Sequence, residues 1–513
     1  MPHAPLPIPP IPSMLSVLIW APIIGAAAIA FLPGGENQPS RVRLGAATIA
    51  FFTLLWNLFL LLKFDITNPG MQLTEYLPWN ETLGLGYQLG ADGLSMVMLV
   101  LNSFLTWIAI YCSSKDTERP RLFYSLILFI SGGVAGAFAA QNLLLFFLFY
   151  ELELIPFYLL ISIWGGEKRS YAAIKFLIYT AVSGALIFAS FLGMVWLSGG
   201  TSFAYDTLTT QTLSTTLQIV LLSGIIVAFG IKIPLIPFHT WLPDAYVEAS
   251  APIAILLGGV LAKLGTYGIL RFGLQLFPEA WAIVAPSLAM WGATSAMYGA
   301  VTAIAQKDIK RMVAYSSIGH MGYILVAAAA ATPLALVGGV AQMFSHGIIL
   351  AILFHLVGVV ENKVGTRELD KLNGLMSPIR GLPLISALLV LGGMASAGIP
   401  GMTGFIAEFI VFQGSFSAFP IPTILCIVAT GLTAVYFVIL LNRTCFGKLN
   451  NRLAYYPKVV WSEKMPALIL TAVVIFLGVQ PTWLVRWSET STTAMVATIP
   501  SVEKIASTPV AMK

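Results

Sequence analysis

What most constrains this chain is the length of its apolar runs. Stretches of about twenty residues, such as 94–111 and 176–198, recur from end to end, separated by short polar or Gly/Pro breaks. A run of that length matches, as a helix, the ~30 Å hydrocarbon core of a bilayer. In lipid a helix satisfies its own backbone hydrogen bonds, so repeated runs of this kind predict an all-α polytopic membrane protein. About fourteen spans are expected, near 14–32, 44–62, 94–111, 122–140, 142–163, 176–198, 217–238, 251–270, 281–305, 312–330, 335–359, 382–413, 421–442 and 466–487. The stretch 382–413 is too long for one straight helix across that core. Only Gln141-Asn142 marks the turn between the fourth and fifth spans.

Charge supports this class. Of 513 residues, 58% are hydrophobic and 10% charged, against about 25% charged in soluble domains. So few charges cannot coat a soluble protein of this size, and there is no basic stripe for nucleic acid. A soluble enzyme, a disordered chain and a nucleic-acid binder are excluded. Cys112, Cys426 and Cys445 form no CxxC pair, and Gly84-Leu85-Gly86 with Gly90 has the wrong spacing for a dinucleotide loop. No cofactor and no metal is therefore expected in this chain. The start, MPHAPLPIPPIP, lacks the basic region of a signal peptide and reads as an exposed extended tail.

The lysines and arginines orient the spans. With the N-terminus outside, twenty fall in inward loops and five, including Lys63, Arg271 and Arg486, outside. That asymmetry is what the positive-inside rule expects. It leaves Lys232 and Lys263 within spans. Both termini are then non-cytoplasmic.

An ionisable group at mid-membrane costs from about 2.5 kcal/mol upward, so each one in a span needs a reason. Glu151, Glu153, Lys232, Lys263 and Glu408 qualify, with His320 and His346; His239 and His355 are further candidates. Glu151 and Glu153 lie about 200° apart round a helix, so at most one points into a given cavity. Either could instead be a carboxylate near the helix end reaching headgroups, Glu153 more readily than the deeper Glu151. Pro234 and Pro237 follow Lys232, and Pro400 precedes Glu408, so both helices should break there. Broken helices inside a membrane line protein or a wet cavity. Burial favours a neutral lysine and a nearby carboxylate favours a charged one, so moving the carboxylate would switch a lysine between releasing and holding a proton. The residues therefore suggest a proton relay. The interrupted spans, seventh and twelfth, are five apart, which implies inverted repeats. These are expected at 122–270 and 281–442, flanked by 1–121 and 443–513.

The segments FGIKIPLIPFHTWLPDAYVEA, LLGGVLAKLGTYGILR, KDIKRMVAYSSIGHMGYI, FSHGIILAILF and GIPGMTGFIAEF together resemble the antiporter-like proton-channel subunits of complex I. The resemblance runs over at least residues 90–450. ELELIPFYLLISIWGG is most similar to the members found in plastid and cyanobacterial NAD(P)H-quinone oxidoreductases, the photosynthetic form of complex I. The resemblance implies fourteen helices with two inverted five-helix repeats. It also implies a key acid at Glu151, five residues before Pro156, paired with the broken-helix lysine Lys232. Lys263, His320, His346 and the terminal Glu408 follow as a relay, and Glu153 is an additional acid. The partners implied are other membrane-arm subunits, including neighbouring antiporter-like ones, with lipids and a peripheral electron-transfer arm. Plastoquinone, iron–sulfur clusters and a nicotinamide or ferredoxin donor belong to those partners. A thylakoid membrane, cyanobacterial or plastid, is the implied location. A multisubunit Na+/H+ antiporter subunit, a non-pumping scaffold subunit and a form of the complex specialised for CO2 uptake remain open at this level.

Overall fold

The structure is a computed structural model that describes residues 14–205, 210–378, 381–448 and 456–499. The N-terminal proline-rich stretch, the far C-terminus, and Arg380, Arg452, Lys504 and Lys513 of the charge count lie outside the described residues.

The helices run in chain order as α1 Met14–Ala30, α2 Pro39–Lys63, α3 Gly93–Cys112, α4 Pro120–Ala139 and α5 Leu143–Trp164. Then come α6 Arg169–Leu197, α7 Thr215–Lys232, α8 Trp241–Glu248, α9 Ala251–Leu274, α10 Pro278–Ile304, α11 Ile309–Ala330 and α12 Pro333–Val364. The chain ends with α13 Pro383–Ser396, α14 Thr403–Phe416, α15 Pro420–Thr444, α16 Trp461–Val479 and α17 Thr482–Ala497. Their starts are written locally. Proline occupies the first turn of α2, α4, α9, α10, α12, α13 and α15, where its missing N–H costs nothing. Asp92, Asn142, Ser214, Asp308 and Thr332 cap α3, α5, α7, α11 and α12 by accepting backbone N–H bonds.

Eleven helices are long and apolar enough to cross a membrane among the described residues. The other three expected spans fall on α1, on α10 and on the pair α13–α14. Both expected breaks are present. α7 ends at Lys232, and helix resumes only with the 3-10 turn Phe238–Thr240 and α8. α13 ends at Ser396 and α14 starts at Thr403, across Pro400.

Three features differ from the sequence reading. An antiparallel hairpin, β1 Gln72–Asn80 with β2 Leu85–Ala91, fills the connection between α2 and α3. α5 is interrupted at Glu153. α9 carries two π-helical stretches, Leu257–Leu261 and Ile269–Leu274.

Burial separates a core from a rim. The most apolar windows of α9, α11 and α12 are 100%, 94% and 94% buried inside the chain, against 33% for α2 and 39% for α6 and α15. The rim helices turn Phe51, Phe52, Ile178, Val182, Ile427 and Val438 outward, as helices facing lipid or a neighbouring subunit must. The central helices carry the polar residues.

Candidate functional site

α5 and α7 bring the first group together. Lys232 Nζ forms an ion pair with Glu153 Oε1, and both side chains are within 1% of full burial. The Tyr150 ring lies 4.3 Å from Nζ. Tyr150 is itself held by Ser183 Oγ at 2.8 Å, and Ser183 donates to the Ala228 carbonyl at 2.8 Å. Lys232 is thus boxed by an acid and an aromatic face from the same helix. The other Glu153 oxygen, Oε2, is buried with no hydrogen-bond partner among the described residues.

This arrangement corrects the expected pairing. The carboxylate on Lys232 is Glu153, and Glu151 is half-buried without an ion pair to Lys232. Glu151 lies against α6 at Gly184, where an added Cβ would fall 2.0 Å from Oε1. The resemblance implied Glu151 as the partner of Lys232, whereas the ion pair here is made by Glu153. Nor does Glu153 reach headgroups, since it is fully buried.

The second group is a row of side chains in which two polar contacts flank a ring contact. Lys263 Nζ donates to the Gly258 carbonyl at 2.6 Å and contacts His346 Nδ1 at 2.7 Å. Gly258 lies in the first π-helical stretch of α9, a widened turn of a kind frequent at functional sites. The His346 and His320 rings stand 5.2 Å apart, centroid to centroid. His320 Nδ1 lies 3.2 Å from Glu408 Oε1, and its Nε2 is 3.1 Å from Ser396 Oγ. Thr430 donates to Glu408 Oε2 at 3.1 Å and also contacts the Tyr323 hydroxyl at 3.0 Å. Lys263, His346, His320 and Glu408 are each at least 96% buried.

Tautomers follow from these contacts. Nδ1 of His346 accepts from the ammonium, so a neutral His346 carries its proton on Nε2, which is buried without a partner among the described residues. His320 Nδ1 also receives the Gln342 amide at 3.3 Å, while Gln342 Oε1 is unpartnered. That amide donates to a bare Nδ1 as placed, and turned over it accepts from a protonated one. Gln342 can therefore attend either state of His320.

The break at Pro400 shapes the far end. Gly398 has φ +69°, and an added Cβ there would meet Glu408 Oε2 at 3.0 Å. The open backbone between α13 and α14 thus folds against the carboxylate, and Ser396 reaches His320 from the end of α13.

The two groups meet through packing, with no hydrogen bond between them among the described residues. Gly265, two residues after Lys263, abuts the Ile233 and Phe229 positions of the α7 end. His239 stands apart on the 3-10 turn, with Nε2 3.2 Å from the Tyr298 hydroxyl. His355 also stands apart, nine residues beyond His346 on α12, with Nε2 2.7 Å from the Glu463 carbonyl.

Sequence reasoning missed two buried charges. Arg271, expected outside, is 2% exposed and pairs with Asp92 at 2.7 Å. Arg271 Nε also donates to the Tyr267 hydroxyl at 3.3 Å, which donates onward to the Phe138 carbonyl at 3.0 Å. Spacing offered a signal, because Lys263, Tyr267 and Arg271 recur every four residues on one helix face. Lys310, expected in an inward loop, is 3% exposed and donates to the Ala249 carbonyl at 2.7 Å.

Residues 140–433 match the family model described as NADH:quinone oxidoreductase/Mrp antiporter, TM. The chain is 40% identical to NAD(P)H-quinone oxidoreductase chain 4 of Acaryochloris marina, over 96% of this chain and 94% of that one. It is 38% identical to NAD(P)H-quinone oxidoreductase chain 4 1 of Thermosynechococcus vestitus, over 94% of this chain and 93% of that one. In three dimensions it resembles a chain of respiratory complex I from Thermus thermophilus, with a TM-score of 0.85 at 28% identity, covering 95% of this chain and all of that one. It also shares its fold with a chain of the Mrp complex from Dietzia sp. (TM-score 0.80, 21% identity, 94% of this chain and 52% of that one).

Proposed function

Because this chain belongs to the NADH:quinone oxidoreductase/Mrp antiporter transmembrane family, we propose that it is a proton-translocating membrane-arm subunit of an NAD(P)H- or ferredoxin-dependent quinone oxidoreductase in a thylakoid membrane. The relatives in Acaryochloris and Thermosynechococcus, both named as quinone oxidoreductase chains, support the complex and the cyanobacterial setting. Plastoquinone, iron–sulfur clusters and the electron donor then belong to partner subunits, and this chain moves protons only. The repeats at 122–270 and 281–442 are part of the same reading, each contributing one interrupted helix.

The observation that carries the proposal is the buried row Lys263, His346, His320 and Glu408, with polar contacts at both ends and the two histidine rings adjacent between them. Each member can hold or release a proton. A proton on Lys263 Nζ passes to His346 Nδ1, and His346 releases Nε2–H towards His320. His320 Nδ1 then delivers to Glu408, from which the proton leaves to the lumen. Glu153 and Lys232 form the upstream switch. Paired, the carboxylate and the ammonium compensate each other's charge in the interior, and separating them is the step that passes a proton on towards Lys263.

The test is proton pumping by the assembled complex in proteoliposomes. Lys232→Ala and Lys263→Ala are expected to lower the H+/e− ratio while quinone reduction continues. An unchanged ratio for both variants in fully assembled complex overturns the reading.

A further inference from the structure

The C-terminal end of α9 holds a buried polar cluster that the relay does not use. A cavity of about 370 Å³ lies between the β1–β2 hairpin and the residues Gln141 and Tyr205, on the side that the loop charges mark as outward. The Tyr205 ring packs on Phe272 of α9 with 5.4 Å between centroids, and its hydroxyl is buried without a hydrogen-bond partner among the described residues. Arg271 directly precedes Phe272. Lys263 lies eight residues further in, about 12 Å along the helix. Polar groups continue in that direction. Ser95 Oγ and the Tyr267 hydroxyl are 3.1 Å apart. Asn102, two turns along α3 from Ser95, has a buried Oδ1 with no partner among the described residues. Leu105 of the same helix touches Gly259, one turn from Lys263. Buried polar atoms of this kind are usual seats of water. A continuous column of them would let protons return from the outward side to Lys263 and discharge the gradient that the relay builds.

Arg271 sits across this column. Its guanidinium donates to Asp92 Oδ1 at 2.7 Å, Gln275 Oε1 at 3.0 Å, the Tyr267 hydroxyl at 3.3 Å and Ser95 Oγ at 3.4 Å. A guanidinium has five donors and no acceptor and keeps its charge in proteins, so it neither takes up a proton nor hands one on. The bonds beyond it run one way. Tyr267 gives its hydrogen to the Phe138 carbonyl at 3.0 Å. In the Ser95–Tyr267 contact Ser95 is therefore the donor, and the phenol oxygen accepts from both Ser95 and Arg271. The series starts at a group that cannot accept and ends at a backbone carbonyl that cannot pass a proton on. Proton hopping towards Lys263 needs each member to accept on one side and donate on the other, and this series offers no such member. The positive charge adds to the effect, since an arginine beside a polar path repels protons and other cations.

We propose that Arg271 is an outward proton barrier of this subunit, a fixed guanidinium that keeps protons on the outward side from reaching Lys263. Asp92, Gln275 and Tyr267 position it. Asp92 is itself fixed as the cap of α3, where it accepts the Ser95 N–H at 2.9 Å. The pair thus retains protons as well as joining two helices. The inference rests on the proton-translocating reading above.

Passive proton leak tests it, measured on the assembled complex in proteoliposomes under an imposed pH gradient, with no electron donor. Two variants remove the fixed charge and keep the site polar. Arg271→Gln with Asp92→Asn strands no charge. Arg271→His faces Asp92 with a group that both takes up and releases protons. Each is expected to raise the leak by about tenfold, the effect of a barrier lower by about 1.4 kcal/mol. Adding Lys263→Ala is expected to return the leak to the wild-type level, because the leaking proton enters the relay there. Quinone reduction by the same preparations reports assembly. Wild-type tightness in the assembled variants overturns the barrier. A leak that persists with Lys263→Ala is a packing defect and overturns it too. Failure of the relay reading is seen separately, as an unchanged H+/e− ratio in Lys232→Ala and Lys263→Ala during turnover.

Discussion

Two residues of the same type, two positions apart, have different fates here. Glu153 is fully buried on Lys232, while Glu151 is half-buried against α6. Removing one partner from a buried ion pair costs about 3–5 kcal/mol, because the other charge is left uncompensated. Glu153→Gln is therefore expected to lower the thermal stability of the detergent-solubilised complex and its H+/e− ratio. Glu151→Gln should leave stability within about 0.5 kcal/mol, as a partly exposed site allows. Thermal unfolding of the two assembled variants, with pumping measured alongside, decides. A larger stability loss in Glu151→Gln would show that Glu151 is the working partner of Lys232. The sequence made both acids visible, since any carboxylate in an apolar run is conspicuous. It could not say which one reaches Lys232, because that depends on how α7 packs against α5, a contact 79 positions apart in sequence.

Among the elements, the interrupted helices were the most legible. Pro234, Pro237 and Pro400 each deny the helix a donor, and the chain breaks at both places. The second break can be tested by separating strain from crowding. Gly398 has φ +69° with the Glu408 carboxylate beside it, whereas Gly401 has φ +90° with nothing within 4 Å of an added Cβ. Alanine in the left-handed region costs about 1–2 kcal/mol. Gly401→Ala should show that loss of stability alone. Gly398→Ala should show it together with a reduced H+/e− ratio, because its methyl displaces Glu408. Equal pumping by the two variants would argue against the close packing of this break on Glu408. The π-helical turns of α9 were not legible in the same way. No proline or charge marks Leu257–Leu261, and its widening is accompanied by packing against α3, α8 and α12 and by the Gly258 carbonyl accepting from Lys263.

For the whole molecule, the loop charges predict an orientation, with the 113–119 loop inward and the 64–71 loop outward. In oriented membranes, Lys115→Cys is expected to react with an impermeant thiol reagent from the cytoplasmic side and Asn68→Cys from the other; both positions are exposed. The reverse pattern would invert the proposed direction of proton flow. The Arg271–Asp92 pair joins α9 to the start of α3, and Ser491 of α17 accepts the Gly93 N–H at 2.9 Å beside it. This clamp draws the N-terminal helices, the centre and the C-terminus together at one face. Arg271→Gln strands Asp92 in that interior and should cost about 3–5 kcal/mol, read as a lowered unfolding temperature of the complex. Arg271→Met with Asp92→Leu should recover much of it.

By itself the sequence determined the class of protein, the approximate spans, the breaks and the set of ionisable residues. These follow from local rules: hydrocarbon thickness, the geometry of proline, and the cost of charge in lipid. Tertiary structure alone decided which acid holds Lys232, that Arg271 and Lys310 are interior, and that Lys263, two histidines and Glu408 lie in one row. The Glu153–Lys232, Lys263–His346 and Asp92–Arg271 contacts join residues 79, 83 and 179 positions apart in sequence. Helical periodicity reports which face a residue occupies on its own helix, not which helix packs against that face.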